Sequence, residues 1–196
     1  MVGKGFHREC YVHPDNERLC IKVVVNGDDK EVRREQAYYH FLQKRDIAWD
    51  MLPKFHGEVE TNLGPGAVFD LIRDADGQVS RTLQQCIDAE SIAVLNRQGL
   101  QQSLQRLREY LLAENIITMT IKPKNIAYQQ RDNQSSVCIL IDNIGNSDFI
   151  PISSYSRFFG RRKIMRKWAR FMNTYGLANP DSGTVTESTA KTASSV

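Results

Sequence analysis

The sequence predicts an α+β chain, a small antiparallel sheet with one helix followed by a reduced helical part. Three observations carry that reading. Apolar and polar residues alternate around the turn His13-Pro-Asp-Asn16 and run into the apolar stretch Leu19 to Val25, the period of a half-buried hairpin. In the second half, Leu100, Leu104, Leu107 and Leu111 recur at three- and four-residue spacing, the period of an amphipathic helix. Between the two parts, Asn62-Leu-Gly-Pro-Gly66 is turn chemistry flanked by short apolar runs.

The elements follow in order. Cys10 to Val25 reads as two strands, and Asn26 to Lys30 breaks the second. Glu31 to Lys44 is helical, with Val32, Ala37 or Tyr38, Tyr39 and Leu42 on its apolar face behind an acidic first turn. Val59–Thr61 and Ala67–Ile72 read as two more strands, which completes a small lobe over residues 1–72. Residues 73–179 then hold helices at Leu83–Asn96 and Leu100–Leu112, a loop at Thr118–Asn125, two strands around the polar turn Arg131–Ser136, and a basic helix at Phe158–Met172. Residues 180–196 carry almost no large apolar side chain and read as a disordered tail.

At 196 residues, 41% hydrophobic and 25% charged, the chain can bury a sizeable core and has the make-up of a soluble globular protein. No signal peptide opens it, and no apolar run approaches the roughly 18 to 20 residues of a membrane span, so the expected location is cytoplasmic. Cys10, Cys20, Cys86 and Cys138 have no paired spacing and no nearby His, which points to reduced structural thiols rather than a zinc site.

The net charge of +3 is uneven. Arg157, Arg161, Arg162, Lys163, Arg166, Lys167 and Arg170 bring seven positive charges with no acid among them, which leaves the rest of the chain at −4. That stretch is either a final helix that packs its apolar stripe and solvates its cations, or a docking surface for an acidic partner, anionic lipid or nucleic acid. No nucleic-acid motif supports the last.

Several short patterns carry chemistry. Gly3-Lys-Gly5 precedes a strand and is either a phosphate-covering loop or a flexible terminus. Lys22 interrupts an apolar strand, so it needs a counter-charge or an exposed edge. Glu35 on the next helix is the expected counter-charge, with Glu31 one turn earlier as the alternative. Further on stand Thr118-Met-Thr120-Ile-Lys122-Pro-Lys-Asn125 and, after an apolar strand, Asp142-Asn-Ile-Gly145.

These two last stretches resemble the catalytic loop and the metal-binding Asp-Phe-Gly segment of protein kinases. Lys22 in Cys20-Ile-Lys-Val23 resembles the kinase Val-Ala-Ile-Lys strand, and Phe69-Asp70-Leu-Ile72 resembles the hinge that holds an adenine ring through its backbone. The closer resemblance is to the bacterial YrbL family, small kinase-like proteins of the PhoP regulatory network. It rests on Gly-Lys-Gly-x-His-Arg-x-Cys-Tyr, Lys30-Glu-x-Arg-Arg-Glu35, Tyr38-Tyr39, His56-Gly-x-Val-Glu-Thr61, Ile117 to Ile126 and Asp142 to Gly145.

The resemblance implies a truncated two-lobed kinase-like fold that binds ATP with magnesium. Gly3 and Gly5 would cover the phosphates, Lys22 would hold them, Glu35 would orient Lys22, Asp70 and Ile72 would meet the base, and Asn125 and Asp142 would hold the metal. The third glycine of the loop pattern falls at Arg8, which weakens the phosphate-loop reading. The place of the catalytic carboxylate holds Thr120, whose hydroxyl does not accept a proton near neutral pH, so binding is better supported than catalysis. Lys122 could still touch a transferring phosphate. The expected role is a regulatory module or atypical phosphotransferase, and the alternative is a non-catalytic protein that recruits an acidic partner through its basic helix.

Overall fold

The computed structural model describes residues 1–177 apart from 6, 27–29, 90–96, 133–134 and 149, together with all side chains except those of Glu31 and Arg97. The side chain of the rival Glu31, the second half of the expected helix Leu83–Asn96 and the expected tail therefore lie outside what is described.

Alternation in the first 70 residues builds a five-stranded antiparallel sheet in the order β1-β2-β3-β5-β4. Its strands are β1 (Gly3–Lys4), β2 (Arg8–His13), β3 (Asn16–Val24), β4 (Phe55–Thr61) and β5 (Gly64–Asp70). The turn between β4 and β5 takes only Asn62 and Leu63, so both strands start earlier than their apolar runs suggest. Because side chains alternate across a sheet, register assigns the two faces. Cys10 stands opposite Lys22, Lys22 opposite Ala67, and Cys20 opposite Phe69. Ile21, Val23 and Val68 form a small cluster on one face, whereas Cys20, Ala67 and Phe69 on the other join the main core.

Helix α1 (Lys30–Lys44) lies against that second face. Tyr38, Tyr39 and Leu42 are buried while Ala37 is exposed, which settles the choice left open at that position. Helix α2 (Leu83–Asp88) occupies the described part of the expected helix and starts at a reciprocal Thr82–Gln85 capping box, which satisfies two otherwise orphaned N–H groups. In α3 (Arg97–Ala113) the four periodic leucines are all buried. Strands β6 (Ile126–Gln130) and β7 (Ser136–Leu140) make a two-stranded ribbon, and Cys138 N–H donates to the buried Ser103 Oγ of α3 at 2.6 Å. One contiguous core joins sheet and helices, from Cys20 and Phe69 through Tyr39 to Leu107, Trp168 and Phe171.

Helix α4 (Ile152–Tyr155) leads into α5 (Arg157–Thr174), the expected basic helix, but α5 is rotated so that the side expected to carry Phe158, Met165, Trp168 and Met172 together is only partly turned inward. Gly160, Lys163, Ile164, Trp168 and Phe171 face inward, while Phe158 and Met165 face solvent. Gly160 sets that rotation: a Cβ there would fall 1.8 Å from Asn115 Oδ1 and 2.7 Å from the Ser153 carbonyl. Among the described residues no helix is long and apolar enough to cross a membrane.

Candidate functional site

Four charged side chains from distant parts of the chain meet between the sheet and the segment after β7. Lys22, on β3, sits over the Phe69 ring with Nζ 4.6 Å from its centroid and donates to the Ile141 carbonyl at 2.7 Å. The same ammonium lies 3.9 Å from Asp142 Oδ1. Glu35, only 1% exposed, accepts from Arg8 Nη1 at 2.5 Å and from the Ile144 N–H at 3.2 Å. Arg8 also donates to Asp142 Oδ1, so one guanidinium bridges both carboxyls. The ion partner of Glu35 is thus Arg8 rather than the Lys22 that the kinase pattern suggests.

Local structure explains the placement. Gly5 N–H donates to the Arg8 carbonyl at 2.7 Å, closing the β1–β2 turn. Residues 8 and 10 share a face of β2, opposite Val24 and Lys22, so the hairpin sends Arg8 to the side on which Lys22 projects. Gly3 pairs with Cys10 within the sheet. Helix α1 is tied to the opposite wall by Glu35 and by Tyr38, whose hydroxyl accepts from the Ile117 N–H at 2.9 Å. Asn143 and Gly145 take φ of 61° and 138°, and this turn after Asp142 lets Gly145 N–H reach the Ile117 carbonyl at 2.9 Å.

Burial and charge act against each other here. Burial first, then the Asp142 charge, raises the Glu35 carboxyl above its ordinary value, while Arg8 and Lys22 pull it back. Burial would raise Asp142 as well, but Lys22 and Arg8 prevail and hold it below the usual carboxylate range. Cys10 borders the cluster. A hydrogen bond from Cys20 is the main influence that lowers its thiol to about 7, with burial opposing and Lys22 assisting. All four cysteines are free.

The loop with the other expected site residues runs beside this cluster. Asn125 lies in a 3₁₀ turn (Pro123–Asn125), and its carbonyl accepts from Ile141 N–H at 2.8 Å, which brings it alongside Asp142. Its side chain is buried, and Nδ2 has no hydrogen-bond partner among the described residues. Thr120 and Lys122 are exposed. The backbone before Thr120 is held on two sides: Met119 N–H donates to the Asn143 carbonyl at 2.8 Å, and Lys167 Nζ from α5 donates to the Thr118 and Met119 carbonyls. Burial, then the like charge of Lys163, lowers Lys167 to about 8.

The expected hinge is already engaged. Asp70 accepts from Lys54 N–H at 2.8 Å and from His56 Nε2 at 2.7 Å, its own N–H donates to the Lys54 carbonyl, and the Ile72 carbonyl accepts from Ser80 N–H. Among the described residues no group of three or more His, Cys, Asp or Glu could hold a metal ion by itself. A magnesium ion fits Asn125 and Asp142 only together with water and phosphate oxygens, which is how that cation is usually held. Sequence reasoning missed Arg8, although the departure from glycine at that position was the available signal.

The chain belongs to the YrbL family. The family described as PhoP regulatory network protein YrbL matches residues 1–176. Over 184 residues the chain is 41% identical to the protein of Escherichia coli strain K12 described as uncharacterized protein YrbL, an alignment that covers 90% of this chain and 85% of the relative. The Shigella flexneri protein of the same description matches to the same extent.

Proposed function

We propose that this YrbL-family chain is a kinase-like regulatory module that binds ATP with magnesium between its sheet and the segment Asp142 to Gly145. One observation carries the reading: Lys22, Glu35, Asn125 and Asp142, four residues far apart in the chain, lie around one partly buried cluster in which two cations face two carboxyls. Such groupings of perturbed titratable residues are characteristic of ligand sites.

Arg8 and Lys22 supply the positive charge for phosphates. A phosphate oxygen offers Arg8 a second acceptor, so the guanidinium can leave Asp142 while its bond to Glu35 remains. Released in this way, Asp142 presents a carboxylate oxygen beside Asn125. The bound metal would neutralise phosphate charge. Thr120 accepts no proton at neutral pH, so the reading centres on binding. Any transfer rests on positioning and charge neutralisation, with exposed Lys122 as a further cation of the loop.

The test is the melting temperature with ATP, with ATP plus magnesium, and with neither. Ligand at 100 times its dissociation constant adds about 2.7 kcal/mol, which for a chain of this size is a rise of roughly 5 to 11 °C. Lys22→Ala should remove that rise and leave the ligand-free melt nearly unchanged. A parent protein whose melt does not move with saturating ATP, with or without magnesium, refutes the reading.

A further inference from the structure

The outward side of α4 and α5 carries an unusual concentration of apolar surface. Six of the ten large hydrophobic side chains exposed among the described residues fall between positions 150 and 165: Ile150, Ile152, Tyr155, Phe158, Phe159 and Met165. Tyr155 is 74%, Phe158 72% and Ile150 64% exposed. Contiguous apolar surface of this kind marks an interaction site.

Its surroundings are cationic. Of the seven positive charges on α5, Lys163 is buried against Asn146 and Asp148, and Lys167 is spent on the Thr118 and Met119 carbonyls. Arg157, Arg161, Arg162, Arg166 and Arg170 remain exposed, and none has an ion-pair partner among the described residues. At 3.6 residues per turn, Phe158 and Met165 fall in the middle of the exposed arc, with Arg161 on one side and Arg162 and Arg166 on the other. Ile150, Ile152 and Phe159 share an open groove of about 330 Å³ with Arg162 and Arg166. Asp148, the acid of that groove, is held by Lys163 at 2.6 Å.

We propose that this α4–α5 face is a contact site for an anionic lipid bilayer. The apolar side chains stand out of the surface instead of lining a deep cavity, so the complement must yield around them. A fluid bilayer does this, and its headgroups place phosphates at the level of the arginines. The proposal is independent of the nucleotide reading, because no residue of the Arg8–Asp142 cluster takes part.

Co-sedimentation of the full chain with vesicles of phosphatidylcholine alone, and of phosphatidylcholine mixed with phosphatidylglycerol, tests it. Binding is expected to the mixed vesicles only, and to weaken as salt is raised. Phe158→Ser with Phe159→Ser should weaken it about tenfold. Arg161→Gln with Arg166→Gln should weaken it about fivefold per arginine. All four positions are exposed, and an unchanged melting temperature verifies that each variant is folded. Three results overturn the proposal: no sedimentation with phosphatidylglycerol vesicles at low salt, equal sedimentation with both vesicle types, or a parent protein that self-associates through this face and loses self-association in the Phe158→Ser, Phe159→Ser variant. Binding of an acidic polypeptide such as polyglutamate without binding to anionic vesicles assigns the face to a protein partner and also overturns it.

Discussion

Among the described residues the chain draws cations out of solvent in two places, and it does so in opposite ways. Near the sheet, Arg8 and Lys22 face Glu35 and Asp142, so charge is balanced by charge. Under α5, Lys163 meets a carboxylate and a neutral amide, Asp148 and Asn146, at 2.6 Å each, while among the described residues Lys167 is met by backbone carbonyls alone. Asn146 in turn donates to the hydroxyls of Ser153 and Ser154, and Asn115 donates to the carbonyls of the same two residues. The first cluster is one that an incoming anion and cation could rearrange, because each member would find a new partner of the right sign. The second is a bracket that fixes α4 and α5 against the loop of Thr118 to Thr120. Two cations of a helix that reads as wholly basic are therefore structural.

The largest expected effect breaks the bracket. Gly160→Ala should destabilise the chain by about 3 kcal/mol, because the methyl group has no room beside Asn115 and the Ser153 carbonyl. That lowers the melting temperature by roughly 6 to 12 °C. Helix propensity alone predicts a gain of about 1 kcal/mol, so a raised melting temperature would show that α5 does not press on Asn115.

The charge-balanced cluster should respond differently. Arg8→Ala is expected to cost about 2 kcal/mol at neutral pH, less than a fully buried pair because the guanidinium is partly exposed. Glu35 is raised above its ordinary 4.5, so its share of stability is full below that value and is lost as pH rises through the folded-state value. Removing Arg8 takes away a pull in the other direction. Denaturant melts across pH should therefore show the variant falling further behind the parent as pH rises from 4.5. A constant gap would mean that Arg8 does not neutralise Glu35.

Lys167 offers the matching test of the bracket. Its value is lowered from 10.5 to about 8, so the stability it contributes is present above 10.5 and is lost as pH falls through 8. Against Lys167→Met, the parent should gain stability as pH rises from about 8 toward 10.5. Parallel pH profiles would place the Lys167 ammonium in solvent.

The smallest effect concerns reactivity alone. Cys10, at about 7, should be alkylated by iodoacetamide with a half-maximal rate near pH 7, well below Cys20, whose thiol is raised chiefly by its hydrogen bond to Cys10 and by burial. ATP with magnesium should slow that labelling if nucleotide binds at the neighbouring cluster. Peptide mapping of the labelled protein reads both, and labelling that ATP leaves unchanged would separate Cys10 from the site.

What the sequence determined by itself was local. Period-two alternation located the hairpin, leucine spacing located α3, and a lysine within an apolar strand, read with Asn125 and Asp142, pointed to the residues that the fold gathers. Those signals act over a few residues, where backbone geometry alone decides which side chains share a face. The strand ends, the rotation of α5 and the partner of Glu35 were decided by tertiary structure. Arg8 is 27 residues from Glu35 and 134 from Asp142, and only the register of β2 on β3 brings it between them. Gly160 turns α5 because Asn115 occupies the space a side chain would need, and Lys163 is buried and Lys167 half-buried because acceptors from other segments await them. Whether a charge is buried or solvated depends on the groups that face it across the fold, and no local period records those groups.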